Sequence, residues 1–262
     1  NKATRIDAEL KQLLMKSSLN VGISEEMCVA YFNRYNQDFI CFHNAIDSRQ
    51  WLRVHKDYSI QGKPFEVAYI GSASYDKELQ SLIDIRDAII QLSTEGHNIR
   101  FSIYSNHHWK RNIETYLAHK DICRYGGLLD PQELVTTLTE ASLLVLPINF
   151  DERSKRYVGL SMQTKVPEYM ASGTATLVYA PYANPNARYA REIEWAAVVT
   201  QRDLPTLEAA ISRLYTEAAL RQNLGIRARL LAQENHDIKV VGERLRVALL
   251  SCSTSSDDAP IW

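Results

Sequence analysis

The segment SMQTKVPEYMASGTATLVYAP, residues 161–181, limits the fold of this chain more than any other stretch. It reads as a polar turn, a short helix, a glycine stop and the run ATLVYAP, whose unbroken apolar character is that of a strand covered on both faces. Pro167 fits this reading, because with Thr164 as the cap it falls in the first turn, where its missing N–H has no intrahelical partner. Gly173 stands where a left-handed C-terminal glycine belongs. A strand buried on both faces needs parallel neighbours and helices above and below it. The segment therefore predicts an α/β chain with a parallel sheet.

The chain after Pro64 repeats that alternation. Strands are predicted at 66–70, 99–104, 122–125, 143–146, 176–179 and 197–200. Helices are predicted at 77–93, 131–141 and 165–172, with a C-terminal pair over about 204–250. This is the pattern of a Rossmann-like, doubly wound parallel sheet. Ahead of Pro64 the spacing predicts a helix over 5–16, a strand at 19–23, a Ser24-capped helix to about Arg34 with Glu25 and Glu26 in its first turn, and a strand at 39–42. Asn44-Ala45-Ile46-Asp47 forms a turn, and a polar connector ends in Pro64. The expected division is a remnant of a second α/β domain (1–50), a linker (51–64), the main domain (65–235), and a C-terminal helix and tail (236–262) whose last twelve residues are loose apart from a possible docking of Trp262.

With 262 residues, 45% of them hydrophobic, the chain supports one large domain or one and a half smaller ones. Its net charge of -1 and the lack of a basic stripe argue against nucleic acid as a partner. No apolar run approaches the about 18 residues that span a bilayer, and no signal-peptide core opens the sequence. A soluble, cytoplasmic chain without a transmembrane segment is expected. Because it starts at Asn1 and runs directly into helix, it also reads as a fragment, with room for membrane association through the missing part. Cys28, Cys41, Cys123 and Cys252 are scattered without a CxxC pair, which argues against zinc and a redox motif. His107 and His108 are adjacent, and adjacent side chains do not converge on one ion. No metal is expected.

Lys165 and Glu168 lie three apart and share one helix face, at the end of a helix that favours anions. An ammonium and free amides suit a diphosphate, while a carboxylate accepts from two adjacent sugar hydroxyls. The expected ligand is a nucleotide sugar. In an open parallel sheet ligands sit beyond the carboxyl ends of the strands, and three loops there carry suitable residues. GSASYDK holds Gly71, which permits close backbone approach or merely ends a strand. NFDERSKRYVGLSMQT holds Arg153, Lys155 and Arg156, a charge run of the kind that is usually a solvated loop. YGGLLD holds Gly126 and Gly127, where a base can lie flat against backbone.

The order strand, polar loop, TKVPEYMASG, buried strand resembles the nucleotide-sugar half of a GT-B glycosyltransferase of the broad family 4-like group, with its K-x-x-E-Y-x-x-x-G signature on Lys165, Glu168, Tyr169 and Gly173. Asn44-Ala45-Ile46-Asp47 resembles the N-G-V-D turn that closes the N-terminal domain of these enzymes. The likeness runs from about Ile6 to Leu250, and its first 50 or so residues correspond to the tail of an acceptor-binding domain. It implies that Glu168 binds the nucleotide ribose and that the amides around Met162, Gln163, Thr164 and Lys165 meet the diphosphate. It extends the donor site to Gly71, Ser72, Lys77, Gly127, Leu128 and Tyr169. Two positions depart from the family pattern. A donor-sugar glutamate eight positions before Glu168 is Leu160 here, and an R-x4-K pair after the first strand reads Ser72 and Lys77. Arg153 or Lys155 is then expected to replace the lost charge.

The implied reaction moves a sugar from a nucleoside diphosphate sugar to an acceptor hydroxyl in glycan or polysaccharide synthesis. The donor is a substrate and no cofactor is called for. The likeness gives no catalytic residue, because acceptor and base contacts come partly from an N-terminal domain that binds the glycan or small-molecule acceptor. Two alternatives stay open: a GT-B sugar-nucleotide epimerase, and a degenerate module that binds a nucleotide or partner without catalysis. A dinucleotide-dependent dehydrogenase is disfavoured, since no G-x-G-x-x-G follows a predicted strand.

Overall fold

The computed structural model describes residues 2–51, 56–59 and 63–254. At its centre is a six-stranded, wholly parallel sheet of β3 (Phe65–Ile70), β4 (Ile99–Tyr104), β5 (Cys123–Gly127), β6 (Leu143–Pro147), β7 (Thr176–Tyr179) and β8 (Ala197–Val199). The spatial order is β5-β4-β3-β6-β7-β8. The chain therefore starts in the middle, winds outward to β5, returns to the centre at β6 and winds outward the other way. Each expected strand is present to within two residues. β6 and β7, buried at every position, are written as largely apolar runs.

The helices are α1 (Lys2–Lys16), α2 (Glu25–Tyr35), α3 (Leu79–Thr94), α4 (Lys110–Tyr116), α5 (Pro131–Glu140), α6 (Glu152–Val158), α7 (Val166–Ser172), α8 (Pro185–Ile193), α9 (Leu204–Thr216), α10 (Ala218–Asn235) and α11 (Ile238–Thr254). Alternate residues of the strands feed two layers. Val67, Tyr69, Phe101 and Leu177 pack with Leu82, Ile85, Ile211 and Leu214 of α3 and α9. On the opposite face Ala68, Leu144, Leu146 and Val178 pack with Val166, Met170, Ala187 and Ala228 of α7, α8 and α10.

Several expectations need correction. α4, α6 and α8 stand where no helix was expected, and the C-terminal pair is three helices. α4 and α6 bury only one and two residues respectively, which leaves little apolar periodicity to read. α6 is set instead by its cap, where the Asp151 carboxylate accepts from both the amide (3.0 Å) and the hydroxyl (2.6 Å) of Ser154. α3 begins at Leu79, which leaves Lys77 in the preceding turn. Residues 251–254 continue α11, while the rest of the tail with Trp262, and parts of the connector, lie outside the described residues.

The N-terminal elements end in a separate parallel pair, β1 (Val21–Gly22) and β2 (Ile40–Cys41), shorter than the strands read from sequence. Ser24 caps α2 as expected, accepting from the Met27 amide at 3.1 Å. Its hydroxyl also donates to the Leu160 carbonyl at 2.7 Å. Ile46 bridges to Asp237, with amide-to-carbonyl bonds of 2.8 Å in both directions between Ile46 and the 236–238 segment. The Asn44-Asp47 turn is thus held against the start of the last helix.

Candidate functional site

Strand order reverses between β3 and β6, and the loops leaving their carboxyl ends diverge to open a crevice. α7 borders it and is firmly held. Gly173 ends the helix in the left-handed conformation at φ 70°. The Tyr169 hydroxyl accepts the Ile70 amide of β3 at 3.0 Å. Arg229 of α10 donates to the Ala171 and Ser172 carbonyls, the second at 2.6 Å. A Cβ at Gly225 of α10 would lie 2.0 Å from the Gly173 carbonyl oxygen, so the two backbones meet where only glycine fits. Of the seven residues of α7, six are buried; Glu168 alone is partly open to solvent. The Glu168 carboxylate is thus carried on a helix that its other residues hold rigidly.

Lys165 precedes the helix in αR conformation as its N-cap residue, and no side chain caps the helix. Thr164 is therefore not the cap; it is exposed in the turn before. Lys165 Nζ lies 4.3 Å from the centre of the Tyr69 ring and 3.2 Å from its hydroxyl. A Cβ on Gly71 would come within 2.3 Å of Nζ and 2.6 Å of the Tyr69 oxygen. The glycine after β3 thus makes room for an ammonium. Burial pushes the Lys165 pKa down to about 8, against the opposing pull of Glu78 and Glu168. Burial likewise raises the Glu168 carboxyl above its ordinary range, with Lys165 working the other way.

Glu78 was not foreseen. It is buried beneath the Gly71 loop and accepts from the Ser72 hydroxyl at 2.9 Å, while Tyr69 donates to the Ser72 carbonyl at 2.7 Å. Burial raises its pKa, and Lys165 and Ser72 counter the shift. Ser72, which stands where the family pattern has an arginine, therefore holds an acid close to Lys165. A signal existed in the sequence: Glu78, the residue just ahead of α3, lies four residues before Leu82 and seven before Ile85, in line with the buried face of that helix.

Around Tyr69 the structure brings together Gly71, Ser72 and Lys165, with Glu168 near enough to act on the Lys165 charge, while Tyr169 is fully buried and ties α7 to β3. Gln163 flanks the crevice, its amide donating to Asn186 Oδ1 at 2.9 Å and its Nε2 to the Pro147 carbonyl at 3.2 Å; its buried Oε1 has no partner among the described residues. Lys77 leans over the Tyr157 ring at 5.5 Å. Arg153 and Lys155 are exposed, on a helix rather than a loop. Their place on α6 pairs Arg153 with Asp76 and Lys155 with Glu152, each at 2.7 Å. Gly126 and Gly127 belong to β5 rather than to a loop. The Tyr104 ring occupies the space over Gly126, whereas Gly127 at φ 88° faces open space and Leu128 is exposed.

No protein-family model matches this chain, and no curated protein does. Solved structures do match. A trehalose-phosphate synthase from Burkholderia vietnamiensis superposes with a TM-score of 0.71 at 14% identity, over 97% of this chain and 64% of that one. A sucrose-phosphate synthase from Thermosynechococcus elongatus gives 0.70 at 15%, over 94% and 61%. S. aureus TarM, solved with UDP and alpha-GlcNAc-glycerol, gives 0.67 at 12%, over 92% and 45%. The fold is that of GT-B glycosyltransferases. At these identities the likeness carries the fold alone, and the chain spans 45 to 64% of the length of these GT-B structures. The parallel sheet with its reversal between β3 and β6 is the GT-B Rossmann-like domain. Among the described residues no helix is long and apolar enough to cross a membrane.

Proposed function

We propose that this chain is the donor-binding half of a glycosyltransferase that uses a nucleoside diphosphate sugar. The observation that carries the proposal is the half-buried ammonium of Lys165 beside the one partly open side chain of a clamped helix, Glu168, at the reversal of the sheet. In this reading Lys165 and the backbone of 162–165 meet the diphosphate and stabilise the departing anion. Glu168 accepts from the two ribose hydroxyls. Ser72 and Glu78 position Lys165, and Gly127 with Leu128 forms the shelf for the base. Residues 65–235 form the donor domain, residues 1–50 the tail of an acceptor domain, and turnover needs the rest of that domain.

Calorimetry with a panel of nucleoside diphosphates tests this directly. The expected result is saturable binding of at least one diphosphate that weakens in Glu168→Ala. Binding by none of them would leave the degenerate-module reading. One feature favours that second reading: the Leu160 position, where a donor-sugar carboxylate is expected by resemblance, carries an apolar side chain and gives its carbonyl to Ser24. If a diphosphate binds, incubation of the longer protein with UDP-N-acetylglucosamine and no acceptor separates transferase from epimerase, because only the epimerase forms the epimer.

A further inference from the structure

Folding undoes the scattering of the cysteines. Cys28 on α2 and Cys41 on β2 place their sulfurs within 4.8 Å of each other and of a carboxylate oxygen of Glu25, the one such group of three among the described residues. The site is assembled by three elements. Glu25 and Cys28 are three apart on α2 and share a face. Cys41 sits beside Gly22 in the β1-β2 pairing. A Cβ on Gly22 would lie 2.7 Å from Cys28 Sγ, so a glycine is what lets the thiol sit against the strand. The adjacent carboxylate, Glu26, is engaged by Arg188 with one contact at 3.2 Å, which leaves Glu25 as the acid facing the thiols. Glu25 is exposed, giving an ion a way in, while Cys28 is buried.

The geometry points to a Zn2+ site at Glu25, Cys28 and Cys41, joining α2 to the β1-β2 pair. Two thiolates and a carboxylate are the donor set of this borderline-soft ion, and a water completes the tetrahedron. Zn–S bonds of about 2.3 Å in tetrahedral geometry put ligand atoms somewhat under 4 Å apart, so a small closure of the present spacing suffices. Binding converts Zn2+, two thiols and one carboxylate into a Zn(thiolate)2(carboxylate) centre of charge −1, and the two thiol protons go to solvent. Neither thiol is oxidised.

The test uses reduced, chelator-treated chain 1–262 titrated with Co2+ and then displaced with Zn2+. One equivalent should bind with a thiolate-to-cobalt charge-transfer band. The band should vanish in Cys28→Ser and in Cys41→Ser and persist in Cys123→Ser. Loss of the Glu25 ligand in Glu25→Gln should weaken Zn2+ at least as much as loss of an outer-shell partner, roughly 10- to 100-fold. Should the serine variants not fold, X-ray absorption on the Zn-loaded wild-type chain still decides: two sulfur neighbours at about 2.3 Å support the site, and nitrogen or oxygen neighbours only overturn it. No stoichiometric binding, or a band retained in the Cys28→Ser, Cys41→Ser double variant, also overturns it.

Discussion

Two lysines at opposite ends of the same sheet have pKa values pushed down to about 8 by burial, yet their surroundings give them different roles. Lys56 lines a cavity of about 750 Å³ with Glu66, Arg124 and Arg221, at the end where β3 and β6 begin. Its ammonium donates to the Thr139 carbonyl at 2.7 Å and to the Ala141 carbonyl, closing the C-terminus of α5. Lys165, at the carboxyl ends of the strands, has a single hydrogen bond among the described residues, to the Tyr69 phenol. Two carboxylates, Glu78 and Glu168, sustain its charge. A depressed pKa therefore does not separate the two lysines. What separates them is that the Lys165 ammonium has no backbone acceptor among the described residues, which is the ground for proposing the donor site there rather than at the Lys56 cavity.

The sharpest way to break this contrast is Lys56→Ala, which leaves buried carbonyls at the end of α5 without a donor. It should lower unfolding free energy by about 3 kcal/mol in denaturant titration, while nucleotide affinity stays within about twofold. A loss under about 1 kcal/mol would mean that Lys56 is not a structural cap. Lys165→Met should do the reverse, cutting nucleoside diphosphate affinity by about 10- to 100-fold, the loss expected for a charge-assisted hydrogen bond, with little effect on stability.

The same lysine predicts a pH dependence. In the free crevice the ammonium titrates near pH 8, and an anion needs the charged form. Affinity should hold below pH 8 and fall about tenfold between pH 7 and 9, where an ordinary lysine would show no change. An identical profile in Lys165→Met would remove the lysine from the explanation. A smaller effect is expected of Glu168→Gln, which keeps one acceptor: about fivefold weaker binding, with most of the preference for ribo- over 2′-deoxynucleotides lost. The Arg153→Ala, Lys155→Ala double variant should be the quietest, within about twofold of wild type, because both cations already face exposed carboxylates. A larger drop would return these residues to the donor site.

Much of this was legible along the chain. β7 is buried at every position because both its faces are covered, and Gly173 follows α7 because the chain there turns left-handed. Such features are local and are written in neighbouring residues. Others depend on distant partners. α6 follows from a cap that locks Asp151 to Ser154, and its formation redirects Arg153 towards Asp76. Gly71 read as a point of close backbone approach or a strand end; that its empty Cβ position is taken by Lys165, far along the sequence, could not be read there.

By itself, then, the sequence determined an α/β chain with a parallel sheet, a short helix at 165–172 and the nomination of Lys165 with Glu168, since periodicity and glycine stops act over a few residues. Only the tertiary structure decided that Glu78 is buried close to Lys165, that Lys56 is committed to a helix end, and that Cys28 meets Cys41 beside Glu25. Those relations depend on which strands become neighbours and which helix faces they bury. Spacing in the chain carries no record of that until the sheet has formed.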